Sequence, residues 1–273
     1  MPSKAISILG CGWLGFPLGK NLVDLGYHVK GSTTTPGKLS VLQDVGILPF
    51  LIHCHPKILG ERFEEFFQAD ILFLNIPFKR NLSDPHIYKQ QIDEVILKVE
   101  QSPIDRLIFA SSTSVYPDSI GLVTEDDVFQ PSSLRAKVLL EIEQSLLQNK
   151  HFRATILRFA GLYGGTRKIG QFLAEKNDIR FGDSPVNLIH LDDCTGIIIE
   201  IVRQDIHGQI FNACADEHPT RKELYTQAAL KIGVRPPTFM ESNQGTPQKI
   251  ISNRKLKEKL HYQFKHPDPL QSL

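Results

Sequence analysis

Short apolar runs alternate along the chain with stretches whose apolar residues recur every three or four positions. The first run, Ala5-Ile6-Ser7-Ile8-Leu9, predicts a strand. Leu14, Leu18, Leu22 and Leu25 then recur at helical spacing and predict a helix over about 13–26, with Gly26 at its left-handed end. The pattern continues with a strand over 27–30, a helix over 36–45, a strand over 48–52 and a short helix over 63–68. Ile71 to Ile76 reads as a buried strand, 85–100 as a helix, 106–110 as a strand, 131–149 as a long helix and 154–159 as a sixth strand. Six strand–helix alternations by residue 160 predict βαβ units around a mostly parallel sheet.

Beyond residue 160 the regularity weakens. Residues 161–190 carry Gly and Pro and few strong periods. Asp192 and Asp193 precede an apolar stretch over 195–203, which predicts a capped helix. Residues 211–213 predict a further strand. Thr220 and Glu223 have capping-box spacing at the start of a helix over 220–232. The tail from 248 is basic and then Pro-rich, and no internal repeat is visible.

Composition narrows the class. The 273 residues are 41% hydrophobic and 22% charged, as in ordinary globular chains. Lys plus Arg is 31 against 30 Asp plus Glu, so no basic footprint for nucleic acid is expected. Mean hydropathy is -0.15, and no apolar run approaches the ~18 residues of a membrane helix. The first residues do not read as a signal peptide. Cys11, Cys54, Cys194 and Cys214 are widely spaced and suit reduced thiols in a cytoplasmic protein.

Gly10-Cys11-Gly12-Trp13-Leu14-Gly15 is a GxGxxG sequence placed directly after a strand and opening a helix. That context is the dinucleotide-binding fingerprint. Gly10 permits the tight turn, Gly12 the approach of a pyrophosphate, and Gly15 close helix–strand packing. Trp13 and Leu14 lie at the helix N-terminus, where free N–H groups favour phosphate. An NAD binder usually carries Asp or Glu about 20 residues on. Here Gly31-Ser32-Thr33-Thr34-Thr35 has no acid before Asp44, which favours NADP over NAD. Hydroxyls of Ser32, Thr33 and Thr34, with the Lys38 cation, are the candidates for a 2′-phosphate; the alternative is an exposed polar turn.

A second constellation, Ser111-Ser112-Thr113-Ser114-Val115-Tyr116, follows a buried strand. Its hydroxyls either hold a substrate oxygen or satisfy their own backbone. Arg167, after Gly164-Gly165, is a candidate for an anionic substrate. No metal centre is expected. His53-Cys54-His55 offers too few convergent ligands, and His190, Asp192, Asp193 and Cys194 read as loop support and helix capping.

These residues resemble the extended short-chain dehydrogenase/reductase superfamily, with its NAD-dependent epimerases and dehydratases. The resemblance rests on 109–116 (FASSTSVY), 157–164 (LRFAGLYG), 186–193 (VNLIHLDD) and Phe211-Asn212. It implies that Ser112 is the catalytic hydroxyl and Lys137 the lysine that holds the nicotinamide ribose. It also implies that Asn75-Ile76-Pro77 passes close to the cofactor. Two departures stand out. Ser133 occupies the place of the family's tyrosine in Tyr-xxx-Lys, and the glycine spacing is GxGxxG rather than GxxGxxG. Both resemble the atypical members. GWLG (12–15), SSTSVY (111–116), VNLIHLDD and the closing 262–270 segment most resemble the bacterial YeeZ-type group.

The expected fold is therefore α/β, a doubly wound Rossmann sheet with a small C-terminal substrate lobe. Residues 1–164 plus 186–214 would form the NAD(P)-binding domain, and 165–185 plus 215–273 the substrate-binding lobe. The expected function is an NAD(P)-dependent oxidoreductase or epimerase-like reaction on a hydroxyl or carbonyl of a small, nucleotide-linked substrate. Its proton would come from water, the substrate, Tyr116 or Tyr163. The alternative is a non-catalytic NADP(H)-binding sensor, which the missing tyrosine fits directly. By analogy, the helices at 85–100 and 131–149 are the candidate faces of a homodimer.

Overall fold

Ala5–Leu9 (β1) is buried from its second residue onward and pairs on both sides, as a central strand must. The computed structural model describes residues 4–79, 82–118, 121–241 and 247–273. After β1 come Gly15–Asp24 (α1), His28–Thr33 (β2), Leu39–Asp44 (α2), Leu48–Cys54 (β3), Ile58–Gly60 (β4) and Phe63–Phe66 (α3). Ile71–Leu74 (β5), His86–Glu100 (α4), Arg106–Ser112 (β6), Gly121–Val123 (β7), Leu134–Leu147 (α5) and Arg153–Phe159 (β8) follow. The remaining elements are Gly161–Tyr163 (β9), Leu188–His190 (β10), Leu191–Arg203 (α6), Ile210–Ala213 (β11), Arg221–Lys231 (α7), Lys249–Ile251 (β12) and Arg254–Leu260 (α8).

Eight strands form one sheet in the order β11-β8-β6-β5-β1-β2-β3-β4. β1 pairs parallel with β2 and β5, β2 with β3, and β5 with β6. The three-residue β4 runs antiparallel to β3. β5 is buried throughout and β8 in all but its first residue, as in a sheet covered on both faces. Strand order reverses between β1 and β5. This is a Rossmann-like, doubly wound α/β fold, and the reversal is the point where such sheets bind ligands.

Contact density divides the chain into two units. The first contains residues 1–111, 131–157 and 198–210; the second contains 112–130, 158–197 and 211–273. In the first unit Phe66 is fully buried, with edge-on rings from Phe50 at 5.5 Å and Phe67 at 5.3 Å. The core of the second unit includes Tyr163, Ile169, Val186, Leu188, Leu224 and Ala228, with Leu270 and Leu273 packed against it.

Several elements differ from their sequence-based limits. β2 runs three residues further, to Thr33, because Gly31, Ser32 and Thr33 are buried between β1 and β3. The expected helix over 36–45 divides into a 3-10 turn at Pro36–Lys38 and the short α2. The helix expected over 131–149 starts at Leu134, because Ser133 is extended (φ -150°, ψ 158°) and caps it. α6 starts at Leu191, so Asp192 and Asp193 lie inside its first turn. The pairs β9–β10 and β7–β12 had no signature, since each strand is three residues long and its partner is distant. The Gly26 C-terminus (φ +86°) and the Thr220 cap on Glu223 N–H (3.2 Å) lie where the sequence puts them.

Truncating Phe66 to Ala should lower stability by about 3–5 kcal/mol. Urea unfolding would show a lower midpoint with an unchanged slope.

Candidate functional site

The turn after β1 is held by three hydrogen bonds. Ser32 Oγ accepts from Gly10 N at 2.9 Å, the Ser32 carbonyl accepts from Cys11 N at 2.8 Å, and Asn75 Nδ2 donates to the Gly10 carbonyl at 3.0 Å. Gly10 adopts φ +111°, and a Cβ there would lie 2.6 Å from the Asn75 carbonyl oxygen. A Cβ on Gly15 would lie 2.3 Å from the Gly10 carbonyl oxygen. Both positions therefore exclude a side chain. At Gly12 no atom lies within 4 Å of such a Cβ, so the backbone there faces open space. α1 has no side-chain cap and no acidic residue in its first turn. The end of a helix left in this state favours an anion.

Leu14 is buried and Trp13 partly exposed. Burial pushes the Cys11 thiol up to about 12, which leaves it an inert packing group. Ser32 and Thr33 are buried, and Thr33 Oγ1 accepts from Thr35 N at 3.2 Å. Thr34 and Lys38 are exposed. Asn75 and Ile76 are half-buried, and Pro77 is exposed where the chain leaves β5. Glycine loop, Ser32 and Asn75 are thus joined directly within the first unit.

Sequence reasoning missed the clamp on the next residues. Arg135 donates to the carbonyls of Phe78 and Lys79 and lies 3.5 Å from the Phe78 ring centroid. Phe78 stacks on Tyr88 at 4.2 Å, and the Tyr88 hydroxyl donates to the Ile76 carbonyl at 2.9 Å. An arginine two residues before Lys137 was the available signal. Ser133 Oγ accepts from Ala136 N at 3.1 Å, and both Ser133 and Lys137 are exposed on the first turns of α5. On the same helix, the buried Glu143 accepts from Ser111 Oγ at 2.5 Å.

In the second unit Ser112 Oγ accepts from Ser114 N at 3.1 Å, opening a 3-10 turn. Tyr116 is buried; its hydroxyl donates to Asn212 Oδ1 (2.8 Å) and accepts from Arg158 Nη1 (2.7 Å). Burial raises the phenol pKa against the opposing pull of the Arg158 charge. Glu125 accepts from Asn212 N at 2.7 Å, and burial raises its carboxyl pKa. The 157–164 and 211–212 motifs contained Arg158 and Asn212, but nothing in the spacing joined them to Tyr116. Tyr163 is 2% exposed, its hydroxyl lies 2.8 Å from Ser272 Oγ, and burial pushes its pKa up to about 12. Arg167 is exposed, in a turn closed by reciprocal 3.0 Å backbone bonds with Gly164.

Asp193 is not placed as a free helix cap. It is fully buried and accepts from Tyr262 Oη (3.0 Å), Lys265 N (2.7 Å) and His266 N (3.0 Å).

No family model matches the sequence. Protein YeeZ of Escherichia coli strain K12 is 35% identical over 269 residues, which cover 98% of each chain. The chain belongs to the YeeZ family. Two solved structures share the fold of this YeeZ-family chain at low identity. One is a short-chain dehydrogenase/reductase superfamily protein from Agrobacterium tumefaciens with bound NAD. Its TM-score is 0.79 at 16% identity, over 98% of this chain and 95% of that one. The other is UDP-glucuronic acid 4-epimerase from Bacillus cereus in complex with UDP-glucuronic acid and NAD. Its TM-score is 0.74 at 19% identity, over 98% and 96%. Among the described residues of this YeeZ-family chain, no helix is long and apolar enough to cross a membrane.

Replacing Ser133 by Ala should cost about 1 kcal/mol of stability through the lost cap. Thr at the same position should restore most of it, as measured by thermal or urea unfolding.

Proposed function

We propose that this chain is an NAD(P)-dependent oxidoreductase or epimerase-like enzyme acting on a hydroxyl or carbonyl of a small, nucleotide-linked substrate. The observation that carries this reading is the turn after β1. Gly10 is forced to positive φ, Gly12 faces open space, and α1 begins with no cap and no acid. The residues present fit a dinucleotide pyrophosphate there, with Trp13, Leu14 and Gly15 supplying the helix N-terminus. Asn75, Ile76 and Pro77 lie on the neighbouring strand end, across the reversal in strand order. Bound structural neighbours support the same class: the Agrobacterium protein holds NAD, and the Bacillus epimerase holds NAD and a UDP-sugar.

NADP is the cofactor we favour over NAD. β2 ends in Ser32-Thr33 with no carboxylate to repel a 2′-phosphate. Ser32 and Thr33 shape the turn, and the exposed Thr34 and Lys38 are assigned to the phosphate. Lys137 is assigned to the nicotinamide ribose, where it adds positive charge. Ser112 is assigned to the substrate oxygen, and Arg167 to a substrate anion. A nicotinamide held there would supply hydride transfer to or from a substrate carbon. The accompanying proton moves between the substrate oxygen and solvent. Tyr116 and Tyr163 are weak candidates for that transfer, since both hydroxyls are bonded inside buried networks. The small C-terminal lobe, 165–185 with 215–273, is assigned to substrate.

One observation favours a second reading, a cofactor-binding sensor without turnover. Ser133 replaces the tyrosine acid, and its hydroxyl is engaged in capping α5.

Trp13 is the only tryptophan and lies inside the glycine turn. Titration with NADPH should therefore quench its fluorescence, more tightly than NADH does. Gly12→Ala should abolish that response while leaving unfolding of the free protein within about 0.5 kcal/mol. No response to either nucleotide would sink both readings. Oxidation of bound NADPH by a carbonyl substrate separates enzyme from sensor. Ser133→Tyr should raise any such rate; an unchanged rate would place position 133 away from the nicotinamide.

A further inference from the structure

Arg135 projects half-buried from the first turn of α5 and ties it to the chain leaving β5. Its Nη1 donates to the Lys79 carbonyl at 2.9 Å, and its Nη2 donates to the Phe78 carbonyl. The guanidinium lies 3.5 Å from the Phe78 ring centroid, and Tyr88 stacks on that ring at 4.2 Å with planes inclined by 10°. Two groups so close to one ring centre must occupy opposite faces, so Phe78 is gripped from both sides. The Tyr88 hydroxyl extends the grip to the Ile76 carbonyl at 2.9 Å. Burial raises the Tyr88 phenol pKa against the pull of the Arg135 charge, so this donor keeps its proton. Asn75, one residue earlier, donates to the Gly10 carbonyl through its side chain and to the Leu9 carbonyl through its backbone, both at 3.0 Å. A continuous chain of contacts therefore runs from the glycine turn to the start of α5, all within the first unit.

We propose that Arg135 is a positioning residue that fixes Lys137 relative to the glycine turn, so that one dinucleotide meets both. This inference rests on the dinucleotide reading above. Positions 133 and 137 share one face of α5, one turn apart, and position 135 points elsewhere. Arg135 therefore acts on the segment after β5, and Lys137 is left exposed for a ligand. An ammonium on a flexible stem is useful to a ribose only if its helix stands at the right place. Small displacements of such a group are costly, because a bound ligand must satisfy every contact at once.

The choice of arginine fits this task. Its plane covers the Phe78 ring while its fork reaches two consecutive carbonyls, which a lysine cannot do together. The carbonyls belong to the chain leaving β5, beside β1, where the strand order reverses and such sheets bind ligands. Removing Arg135 leaves Asn75 bonded to Gly10 and Ile76 bonded to Tyr88. The glycine turn keeps its shape, and what loosens is the 78–79 backbone and the first turn of α5. The loss should therefore fall on the nicotinamide half of a dinucleotide and spare the adenosine half.

The test is calorimetric titration of the full chain with NADPH and NADH, and with the adenosine half alone as adenosine 2′,5′-bisphosphate and ADP. Arg135→Met should weaken the preferred dinucleotide about ten-fold and its adenosine half by less than about two-fold. Lys137→Met should do the same. The double variant should bind no more weakly than Lys137→Met alone, because one residue acts through the other. Arg135→Lys should bind as Arg135→Met does, and it carries the same comparison if the methionine variant fails to fold. Dinucleotide binding like the parent's in either Arg135 variant would overturn the inference. So would equal losses on the whole dinucleotide and its adenosine half, or additive losses in the double variant. A parent that binds neither NADPH nor NADH overturns the dinucleotide reading itself, and this inference falls with it.

Discussion

The close approach of three backbones at the end of β1 is the constraint on which the first unit depends. Gly10 lies between β2 and β5 and is bonded to a side chain from each, Ser32 and Asn75. Any side chain at Gly10 would strike the Asn75 carbonyl, and any at Gly15 would strike Gly10 itself. The strand ends, the start of α1 and the exit from β5 are therefore fixed together. Moving one moves all three. A turn so tightly held, next to a position as open as Gly12, suits a surface that must meet a rigid, charged ligand without rearranging.

The serine at position 133 has a structural role. A residue at the start of α5 that caps with its side chain must be short, polar and extended in backbone. Serine meets those conditions and tyrosine does not. Ser133 initiates α5, and the same helix carries Arg135, Lys137 and Glu143. Arg135 clamps the segment after β5, and Glu143 fastens the end of β6 through Ser111. α5 thus orders two strand ends whether or not chemistry occurs beside it.

The legible parts of the chain were those governed by local rules. The β1 run, the helical leucines after it, the glycine spacing and the Thr220 capping box each depend on residues within a few positions. Ser32 as a loop fastener was harder, because a hydroxyl at a strand end reads equally well as a phosphate donor. Tyr116 was singled out for its place after β6, yet its partners Arg158 and Asn212 lie 42 and 96 residues away. Three-residue strands such as β9 and β10 carry no period at all. Asp193 looked like a cap because it precedes an apolar run, but its real donors lie some 70 residues further on. Long-range pairing of single polar groups leaves no trace in a pattern.

Asp193 also sets an order of assembly. Its carboxylate is fully buried, and its described donors, Tyr262, Lys265 and His266, all come from one distant segment. A chain lacking that segment would have to bury an acceptor with nothing to satisfy it, or leave the start of α6 open to water. The second unit is stitched from three separated stretches, so α6 cannot finish packing on local information. Its completion waits on the last of those stretches, and closing so long a loop is slow compared with forming the helix itself.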